Sequence, residues 1–428
     1  MKKIFAKILI VLLLVLIISC KDGHVSKQLI STHVSMYSDS LTLELEKIKE
    51  TSVIPGFGVA IVKDSQIIYN QGFGYADLND SIPFTPKTVN FIASISKTFI
   101  GVSIMKLVEM GKLNLDEKVN DILPYDIVHP MFPDIPITVR HLVTHTAGIM
   151  DEFDTEQIGE AEIVLLEEFQ YDDSRIAEIM EQDFKYYRLG KPISLSESVR
   201  KYLAKDGAWY SEDNFRKYPP GTKYEYSNLG ADLAAVIVEI KSGLSFSDFT
   251  KVHIFKPLKM NNTGWFYKDI DNSLLSKIYR PDDWETPKVA IEHPRYYYVG
   301  YSSGDLKSNL EDLSKYLIEM IKGYNGNGVI LNKQSYKTLF EPSLDESFYQ
   351  NERDSSPLND EYNVGVFWAV SHTGIRLHNG GSIGVYSFLY LNPDTNSGAI
   401  SFSNLPDASF GDIRDVVYKY EHKMFEKR

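Results

Sequence analysis

The pattern of hydrophobic and polar positions places β-strands at both ends of the chain and helices between them. Near the start, two β-rich runs at 57–63 and 66–73 flank Lys63-Asp64-Ser65-Gln66, which predicts a hairpin. Near the end there are four further strand candidates: 364–370, 375–381, 385–391 and 398–404. The pattern therefore predicts one sheet built from both ends of the chain.

Apolar residues at helical spacing predict helices that flank this sheet. One face is apolar at about 39–50, and the stretch 413–425 forms an amphipathic helix able to cover a sheet. Residues 91–110 are apolar nearly all round, which is typical of a buried helix. We predict the α/β (α+β) class: an antiparallel sheet of N- and C-terminal segments, flanking helices, and an inserted, mainly helical lobe at about 90–300.

The first residues have a different pattern, with a basic start followed by an uninterrupted apolar run from Ile8 to Ile18. These 11 residues are too few to span a bilayer, which takes about 20 in a helix, so the pattern indicates an export signal. The run ends in Ser19-Cys20, which resembles the lipobox of bacterial lipoproteins, where a small residue precedes a lipidated cysteine. The alternative is an ordinarily cleaved or uncleaved signal with an incidental cysteine.

This leader sets the expected organisation of the chain. We predict a signal peptide at 1–19, a tether at 20–37 and one domain at 38–428. Cys20, the only cysteine in the chain, is the predicted lipidation site. The protein is then exported and lipid-anchored to the bacterial cell envelope, either periplasmic or surface-exposed.

Charge excludes one class of partner. The chain carries a net charge of −13, and loss of the three leader lysines takes it to −16. Nucleic-acid binding requires clustered Lys and Arg, so we expect no nucleic-acid partner. With 43% apolar residues, the chain is able to form a substantial core.

A serine and a lysine one helical turn apart provide the first candidate chemistry. The spacing Ser-x-x-Lys occurs three times: Ser94/Lys97, Ser103/Lys106 and Ser198/Lys201. Only the first pair lies in the first turn of the buried helix, where free N–H groups stabilise an oxyanion and a substrate reaches the hydroxyl. Burial also lowers an amine's pKa toward that of a usable base. The other two pairs, mid-helix and in a charged run, are typical of ordinary helix residues.

Two further elements supply polar groups. Tyr226-Ser227-Asn228 follows a Pro-Pro-Gly loop and precedes an apolar helix. A phenol near a lysine can relay a proton and an amide can orient a substrate; alternatively, the tyrosine packs and the asparagine caps the helix. His378-Asn379-Gly380-Gly381 ends a strand, and glycine there permits close approach by a ligand. A competitor, His372-Thr373-Gly374, is typical of a turn between strands.

In this order, Ser-x-x-Lys, Tyr-x-Asn and His-x-Gly resemble the serine β-lactamase and penicillin-binding protein superfamily. The similarity is greatest to class C β-lactamases, D-alanyl-D-alanine carboxypeptidases, D-aminopeptidases and β-lactamase-like esterases. It extends over about residues 52–405 through IASISKTFIGVSIMKLVEMGKLNLDEKVNDILP, ITVRHLVTHTAGI, PPGTKYEYSNLGADLAAVIVE and SNLEDLSKYL. The resemblance implies a β-lactamase-like fold. It also implies a catalytic cycle in which Ser94 forms an acyl-enzyme, Lys97 is the general base or proton relay, and Tyr226 later activates water.

The resemblance also implies the binding residues. Asn228 and Gly380 would contact the substrate, and the backbone N–H groups of Ser94 and Gly381 would form the oxyanion hole. His378 stands where many relatives have lysine. No metal and no cofactor are implied, and the expected partners are a small-molecule or peptide substrate and, through the lipid anchor, the membrane.

Departures from the family pattern bear on the substrate. A histidine at 378 and an asparagine at 379, in place of lysine and a hydroxyl residue, argue against efficient β-lactamase activity. We therefore expect a serine hydrolase acting on an ester or an amide, with D-amino-acid peptides among the candidates. The alternatives are a non-catalytic binding or sensor protein on the same fold, and a β-lactamase.

Three features remain outside this assignment. The acidic segment 151–183 is interpreted as a solvated insertion, and the tyrosine-rich run 296–301 as packing or, alternatively, a stacking surface for a substrate. His141 and His145 have a spacing that can bind zinc on a helix. With no glutamate between them and no third ligand evident, we expect them to pack or hydrogen-bond beside the site.

Overall fold

An eight-stranded antiparallel sheet, in which an early strand and the last strand are neighbours, forms the centre of the fold. The computed structural model describes residues 34–151, 163–166, 169–184, 187–348, 357–358 and 363–425. The strands of the sheet are β1 (Gly56–Lys63), β2 (Gln66–Asp77), β3 (Ile82–Pro83), β11 (Asn363–Val364), β12 (Ala369–Val370), β13 (Arg376–Ser382), β14 (Val385–Asn392) and β15 (Ser397–Ser403). Their order across the sheet is β11-β12-β13-β14-β15-β1-β2-β3. The register of β1 on β15 pairs Phe57 with Ser403, so the predicted sheet of both chain ends is confirmed.

Alternating side chains of β1 pack into two separate hydrophobic cores, one on each face of the sheet. Phe57, Val59 and Ile61 pack in the core beneath α1 (34–51) and α12 (Phe410–Phe425). Ala60 and Val62 point into the larger core beneath the helical lobe. This period of two is what a strand buried on both faces requires.

The lobe inserted between the two halves of the sheet is mainly helical. Its helices are α2 (Ser96–Glu109), α3 (Val139–Val143), α4 (Ser174–Phe184), α5 (Leu195–Leu203), α6 (Asn228–Ser242), α7 (Phe246–Thr250), α8 (Lys256–Leu258) and α9 (Tyr301–Gly304). Short strands accompany them: β4 (Asn90–Phe91), β5 (Ile163–Leu165), β6 (Arg188–Leu189), β7 (Ile278–Pro281), β8 (Ala290–His293), β9 (Tyr296–Tyr298) and β10 (Lys307–Ser308). Two helices, α10 (Leu310–Tyr324) and α11 (Lys333–Phe340), return the chain to the sheet. Helix α2 is buried along most of its length and packs against α6, as its apolar sequence predicts.

Two sequence predictions about the ends of elements need correction. The run 364–370 is not one strand, because a turn separates β11 from β12. In that turn Phe367 has a φ of +55°, and its N–H donates to the carbonyl of Val143, so the chain leaves the sheet to contact α3. Helix α1 begins at 34 and therefore takes up the last turn of the predicted tether. The predicted signal peptide, Cys20 and most of the tether lie outside the described residues.

The acidic segment 151–183 is not simply a solvated insertion. Its strand β5 pairs with β6 and with β9, and Val164 in β5 is fully buried. Met180 of α4 is also fully buried. A segment whose mean composition is acidic can still bury the few apolar positions that face a core. Among the helices of the described residues, none combines the length and the apolar character needed to cross a bilayer.

Candidate active site

Ser94 is presented at the open end of the buried helix α2. It lies in a tight 3₁₀ turn, Ala93–Ile95, between β4 and α2, just before the first helical turn that the sequence predicted for it. All residues from 88 to 105 are buried except Ser94, which is partly exposed. The preceding residue, Ala93, has a φ of +45°, a conformation that costs a non-glycine residue about 1–3 kcal/mol. The fold thus stores strain in the turn that brings this hydroxyl to the surface.

Lys97 lies directly beneath this hydroxyl. Its Nζ is 3.1 Å from Ser94 Oγ, 2.5 Å from Asn228 Oδ1 and 2.7 Å from the carbonyl oxygen of Ser303. The side chain is fully buried, and this burial lowers the pKa of Lys97 far below its usual value of 10.5. The negative charges of Asp232 and Asp151 oppose that shift.

The three partners of Lys97 match an uncharged amine. A neutral amine has two N–H bonds and one lone pair. Two of the partners, Asn228 Oδ1 and the Ser303 carbonyl, can only accept, so they take both N–H bonds. In the neutral form the lone pair is left for the proton of the Ser94 hydroxyl, whereas an ammonium ion would donate its third N–H to Ser94 Oγ. This arrangement makes Lys97 able to act as a base toward Ser94.

Asn228 is held in place by a carboxylate that the sequence analysis placed in the acidic insertion. Asp151 accepts hydrogen bonds from Asn228 N at 2.6 Å, Leu229 N at 2.9 Å and Ser227 Oγ at 2.9 Å. An acid at the first N–H groups of α6 is favourable for the helix dipole. Asp151 therefore fixes the start of α6, and with it Asn228 beside Lys97. No short motif marks such a contact, so the sequence offered no signal for Asp151.

Tyr226 covers Lys97 and rests on His145. Its ring centroid lies 4.9 Å from Lys97 Nζ and 4.6 Å from the ring centroid of His145. His145 also binds the residues on both sides of Tyr226. Its carbonyl oxygen accepts from Glu225 N at 2.7 Å, and its Nδ1 accepts from Ser227 N at 3.2 Å. Burial lowers the pKa of His145 well below 6.5, so the ring is neutral. The expectation that His145 hydrogen-bonds beside the site is confirmed, and its geometry makes it a support for Tyr226.

The structure distinguishes between the two candidate histidines. His378 is buried in β13, with its ring 6.3 Å from that of Tyr226, whereas His372 is exposed in the turn before the strand. Burial, reinforced by the charge of Lys97, lowers the pKa of His378 to about 3. Its Nδ1 lies 2.6 Å from the carbonyl of Asn379, which can only accept. His378 is therefore neutral, with its proton on Nδ1 and none on Nε2.

Gly380 brings β13 against the backbone of Ser94. A Cβ at this position would lie 2.9 Å from Ser94 N and 2.4 Å from Ser387 Oγ, so no larger residue fits without a shift. Gly381 follows as an exposed residue of the same strand. Glycine at 380 lets the strand approach the Ser94 backbone, and close approach by a ligand at this position stays a prediction. The strand thus runs beside the Ser94 turn, where an oxyanion hole would have to form.

The remaining candidates lie apart from this cluster. Ser103 Oγ donates to the Phe99 carbonyl within α2, and Lys106 pairs with Glu109. His141 caps α3 through Thr138 and packs under the Pro-Pro-Gly turn. In the described part of the chain, no group of three or more His, Cys, Asp or Glu is arranged to hold a metal ion. The tyrosine-rich run packs: Tyr296 is buried and stacks on Phe91 with ring centroids 5.3 Å apart.

We expect Asp151→Ala to lower the free energy of unfolding by about 1–2 kcal/mol, because the first N–H groups of α6 lose their acceptor. Modification of Ser94 by a serine-reactive probe should also slow, because Asn228 is no longer fixed beside Lys97. Urea denaturation and timed labelling measure the two effects. Asp282→Ala is a suitable control, since this aspartate also accepts two backbone N–H bonds, from Lys288 and Val289, and its salt bridge is with Arg175 rather than with a residue beside Lys97. Labelling at the wild-type rate in Asp151→Ala would contradict the positioning role.

Comparisons with known proteins decide the family. A sequence profile of the family described as Beta-lactamase matches residues 44–420. The chain belongs to the beta-lactamase family. The resemblance to β-lactamases and penicillin-binding proteins, and the β-lactamase-like fold it implied, are therefore confirmed.

Three similar proteins illustrate the range of similarity. Protein flp of Staphylococcus aureus (strain MW2) is 24% identical over 361 residues, which cover 82% of this chain and 60% of flp. The octameric penicillin-binding protein homologue from Pyrococcus abyssi has a TM-score of 0.67 at 23% identity, over 92% of this chain and 79% of that one. The beta-lactamase/D-alanine carboxypeptidase from Yersinia pestis has a TM-score of 0.64 at 19% identity, over 93% and 99%. At these identities the solved structures establish the fold.

Proposed function

We propose that the protein is a serine hydrolase that forms an acyl-enzyme at Ser94 with an ester or amide substrate. The observation that carries the proposal is the position of Lys97, whose buried Nζ lies 3.1 Å from Ser94 Oγ and has Asn228 Oδ1 and the Ser303 carbonyl oxygen as its other two partners. A neutral amine in this position can take the hydroxyl proton as the serine oxygen attacks. Membership of the beta-lactamase family supports the same chemistry.

The first half of the proposed reaction uses Ser94 and Lys97. Ser94 Oγ bonds to the substrate carbonyl carbon while its proton passes to Lys97 Nζ. The tetrahedral oxyanion takes hydrogen bonds from the N–H groups of Ser94 and Gly381, and each such donor contributes on the order of 3 to 4 kcal/mol. The bond to the leaving alcohol or amine then breaks, and the proton held by Lys97 returns to that group, which leaves Ser94 acylated.

The second half uses Tyr226, whose ring lies over Lys97 Nζ. A water molecule attacks the acyl carbon, and its proton passes through Tyr226 and Lys97 to Ser94 Oγ as the acyl bond breaks. Asn228 keeps Lys97 in position and, with Gly380, borders the space for the substrate. The acid is released and the serine is restored.

His378 directs the choice of substrate class. Relatives with lysine at this position have a fixed cation that can pair with a substrate carboxylate, whereas neutral His378 presents only a bare Nε2. We propose that the preferred substrates are esters or amides that do not depend on a carboxylate for binding. D-amino-acid peptides belong in the test because a solved neighbour is described as a D-alanine carboxypeptidase.

We expect a fluorophosphonate to add to Ser94, and a fluorescent penicillin to react at least about ten-fold more slowly than with a His378→Lys variant, because in the wild type its carboxylate lacks a cation worth roughly 1.4 kcal/mol. Intact-mass spectrometry measures both rates on the purified full-length chain. p-Nitrophenyl esters, D-Ala-D-Ala peptides and cephalosporins then rank the substrate classes. Absence of any adduct on a folded protein would favour a binding or sensor role, and a faster penicillin reaction would favour a β-lactamase.

A further inference from the structure

Asp232 is a buried carboxylate one helical turn beyond Asn228 on α6. Its side chain is 5% exposed, and it accepts three hydrogen bonds from one short segment. Oδ1 accepts from Ser302 Oγ at 2.6 Å and from Ser303 N at 3.0 Å, and Oδ2 lies 3.3 Å from Ser303 Oγ. A charge at this depth needs such partners, because burying an unpaired carboxylate is costly.

The segment that Asp232 holds is the one that contacts Lys97. Ser303 is bonded at both ends of its backbone: its N–H donates to Asp232 Oδ1, and its carbonyl accepts from Lys97 Nζ at 2.7 Å. Gly300 allows the approach, since a Cβ there would lie 2.2 Å from Asp232 Oδ2. Asp232 and Lys97 are thus joined through a single residue, and movement of Asp232 displaces the carbonyl that accepts from Lys97.

We propose that Asp232 is a positioning residue for Lys97: it fixes the Ser303 carbonyl that accepts from the amine, and it places a negative charge near that buried amine. The inference rests on the proposed function, which it deepens by assigning the group that controls the protonation of the base. Asn228, one turn earlier on the same helix face, fixes the amine directly, while Asp232 acts through the segment behind it.

The charges around Lys97 give the sign of the effect. Asp232 and Asp151 face the amine as carboxylates and raise its pKa, against the larger lowering by burial. His145 and His378 also face it, but both rings are neutral because burial lowers their pKa values. Tyr226 contributes its ring face. Burial also raises the pKa of Asp232 well above its usual 3.8, so Asp232 favours a proton on Lys97 only at pH values at which its own carboxyl is ionised.

The Asp232→Asn variant removes the charge and retains the shape. An amide oxygen still accepts from Ser302 Oγ and Ser303 N, and the amide nitrogen can donate to Ser303 Oγ. Loss of the negative charge should lower the Lys97 titration midpoint by about one pH unit, the lower end of the effect of a nearby opposite charge. The acid limb of Ser94 acylation should move to lower pH by the same amount.

The experiment follows Lys97 itself. Full-length chain labelled with ¹³Cε-lysine is titrated by NMR in non-ionic detergent, with the Lys97 signal assigned through Lys97→Arg. Asp312→Asn is the matched control, because Asp312 is also buried and accepts from Asn262 N and Thr263 Oγ1 but makes no contact with Lys97. We expect a lower midpoint in Asp232→Asn and the wild-type midpoint in Asp312→Asn. An unchanged midpoint in Asp232→Asn would overturn the proposal.

The titration separates this inference from the proposed function. If the titration midpoint of Lys97 is unchanged in Asp232→Asn and Ser94 is still acylated, the positioning role of Asp232 is excluded and the proposed hydrolase function stands. If the midpoint of Lys97 is lowered but no probe acylates the protein, the positioning role of Asp232 stands and the proposed hydrolase function is excluded. If the role of Asp232 were purely structural, Asp232→Asn would lower the free energy of unfolding and leave the titration midpoint of Lys97 unchanged.

A reciprocal variant covers the case in which Asp232→Asn does not fold. The coupling between two titrating groups is the same from either side, so Lys97→Met should raise the pH at which Asp232 loses its proton. Infrared difference spectroscopy follows the carboxyl C=O stretch, assigned with ¹³C-labelled aspartate. A carboxyl that titrates at the same pH with and without Lys97 would overturn the coupling.

Discussion

Replacement of Ser94 by alanine is expected to reduce acylation and substrate turnover by roughly 10⁴-fold or more, because removal of a nucleophile leaves only binding and oxyanion stabilisation. The fold should be unaffected, since the hydroxyl is partly exposed and its loss leaves no cavity. Fluorophosphonate labelling followed by intact-mass spectrometry measures the loss. Peptide mapping of the wild-type adduct should place the label on Ser94.

The chain contains its own control for this experiment. Ser103→Ala alters the second Ser-x-x-Lys pair on the same helix, where Ser103 is fully buried and its hydroxyl only donates to a helix carbonyl. We expect labelling within about two-fold of wild type, because this hydroxyl has no access to solvent and only a local bond to lose. An adduct that persists in Ser94→Ala would assign the nucleophile to another residue.

Lys97→Met is expected to slow acylation by roughly 10²–10⁴-fold, the range that a positioned general base contributes. The variant should still fold, with a free energy of unfolding within about 2 kcal/mol of wild type. Two carbonyl oxygens lose their donor, but the cost of burying an amine disappears as well. Stopped-flow acylation and urea denaturation separate the two quantities.

The pH dependence gives a second test of Lys97. Because burial lowers the pKa of this lysine, its neutral form is available far below pH 10.5, and acylation should fall only as the pH drops through that lowered pKa. In Lys97→Met this acid limb should disappear. Lys106→Met is the control, since Lys106 forms a partly exposed pair with Glu109 that contributes less than about 1 kcal/mol. A Lys97→Met variant with wild-type acylation would exclude the lysine as the base.

The elements that the sequence predicts well are those whose pattern is local. The period of two in β1 and the apolar surface of α2 follow directly from single windows of the chain. The family order of three short motifs brought together Ser94, Tyr226 and His378, which are far apart in sequence but belong to one cluster in the fold. Motif order carried information that no motif held alone.

What the sequence could not predict are contacts made by ordinary residues over long distances. Asp151 looked like one acid among thirteen in the segment 151–183, yet it holds the start of α6. Asp232 lies in an apolar helix four residues after Asn228, but no short motif includes it, and its role depends on Ser302 and Ser303. The break in the strand at 364–370 depends on a contact with α3. Each requires the tertiary structure, because the partner is remote in sequence.

The pairing of β1 with β15 also sets an order of events in folding. The strand β1 has β2 available as soon as the hairpin has been synthesised, but its other neighbour is one of the last strands to be made. Bringing β15 to β1 closes a loop that includes most of the chain, and this closure costs conformational entropy before the stabilising contacts form. The sheet is therefore expected to complete slowly and late. Until then one edge of β1 remains open to pairing with other chains, and early release from a chaperone would favour aggregation over closure.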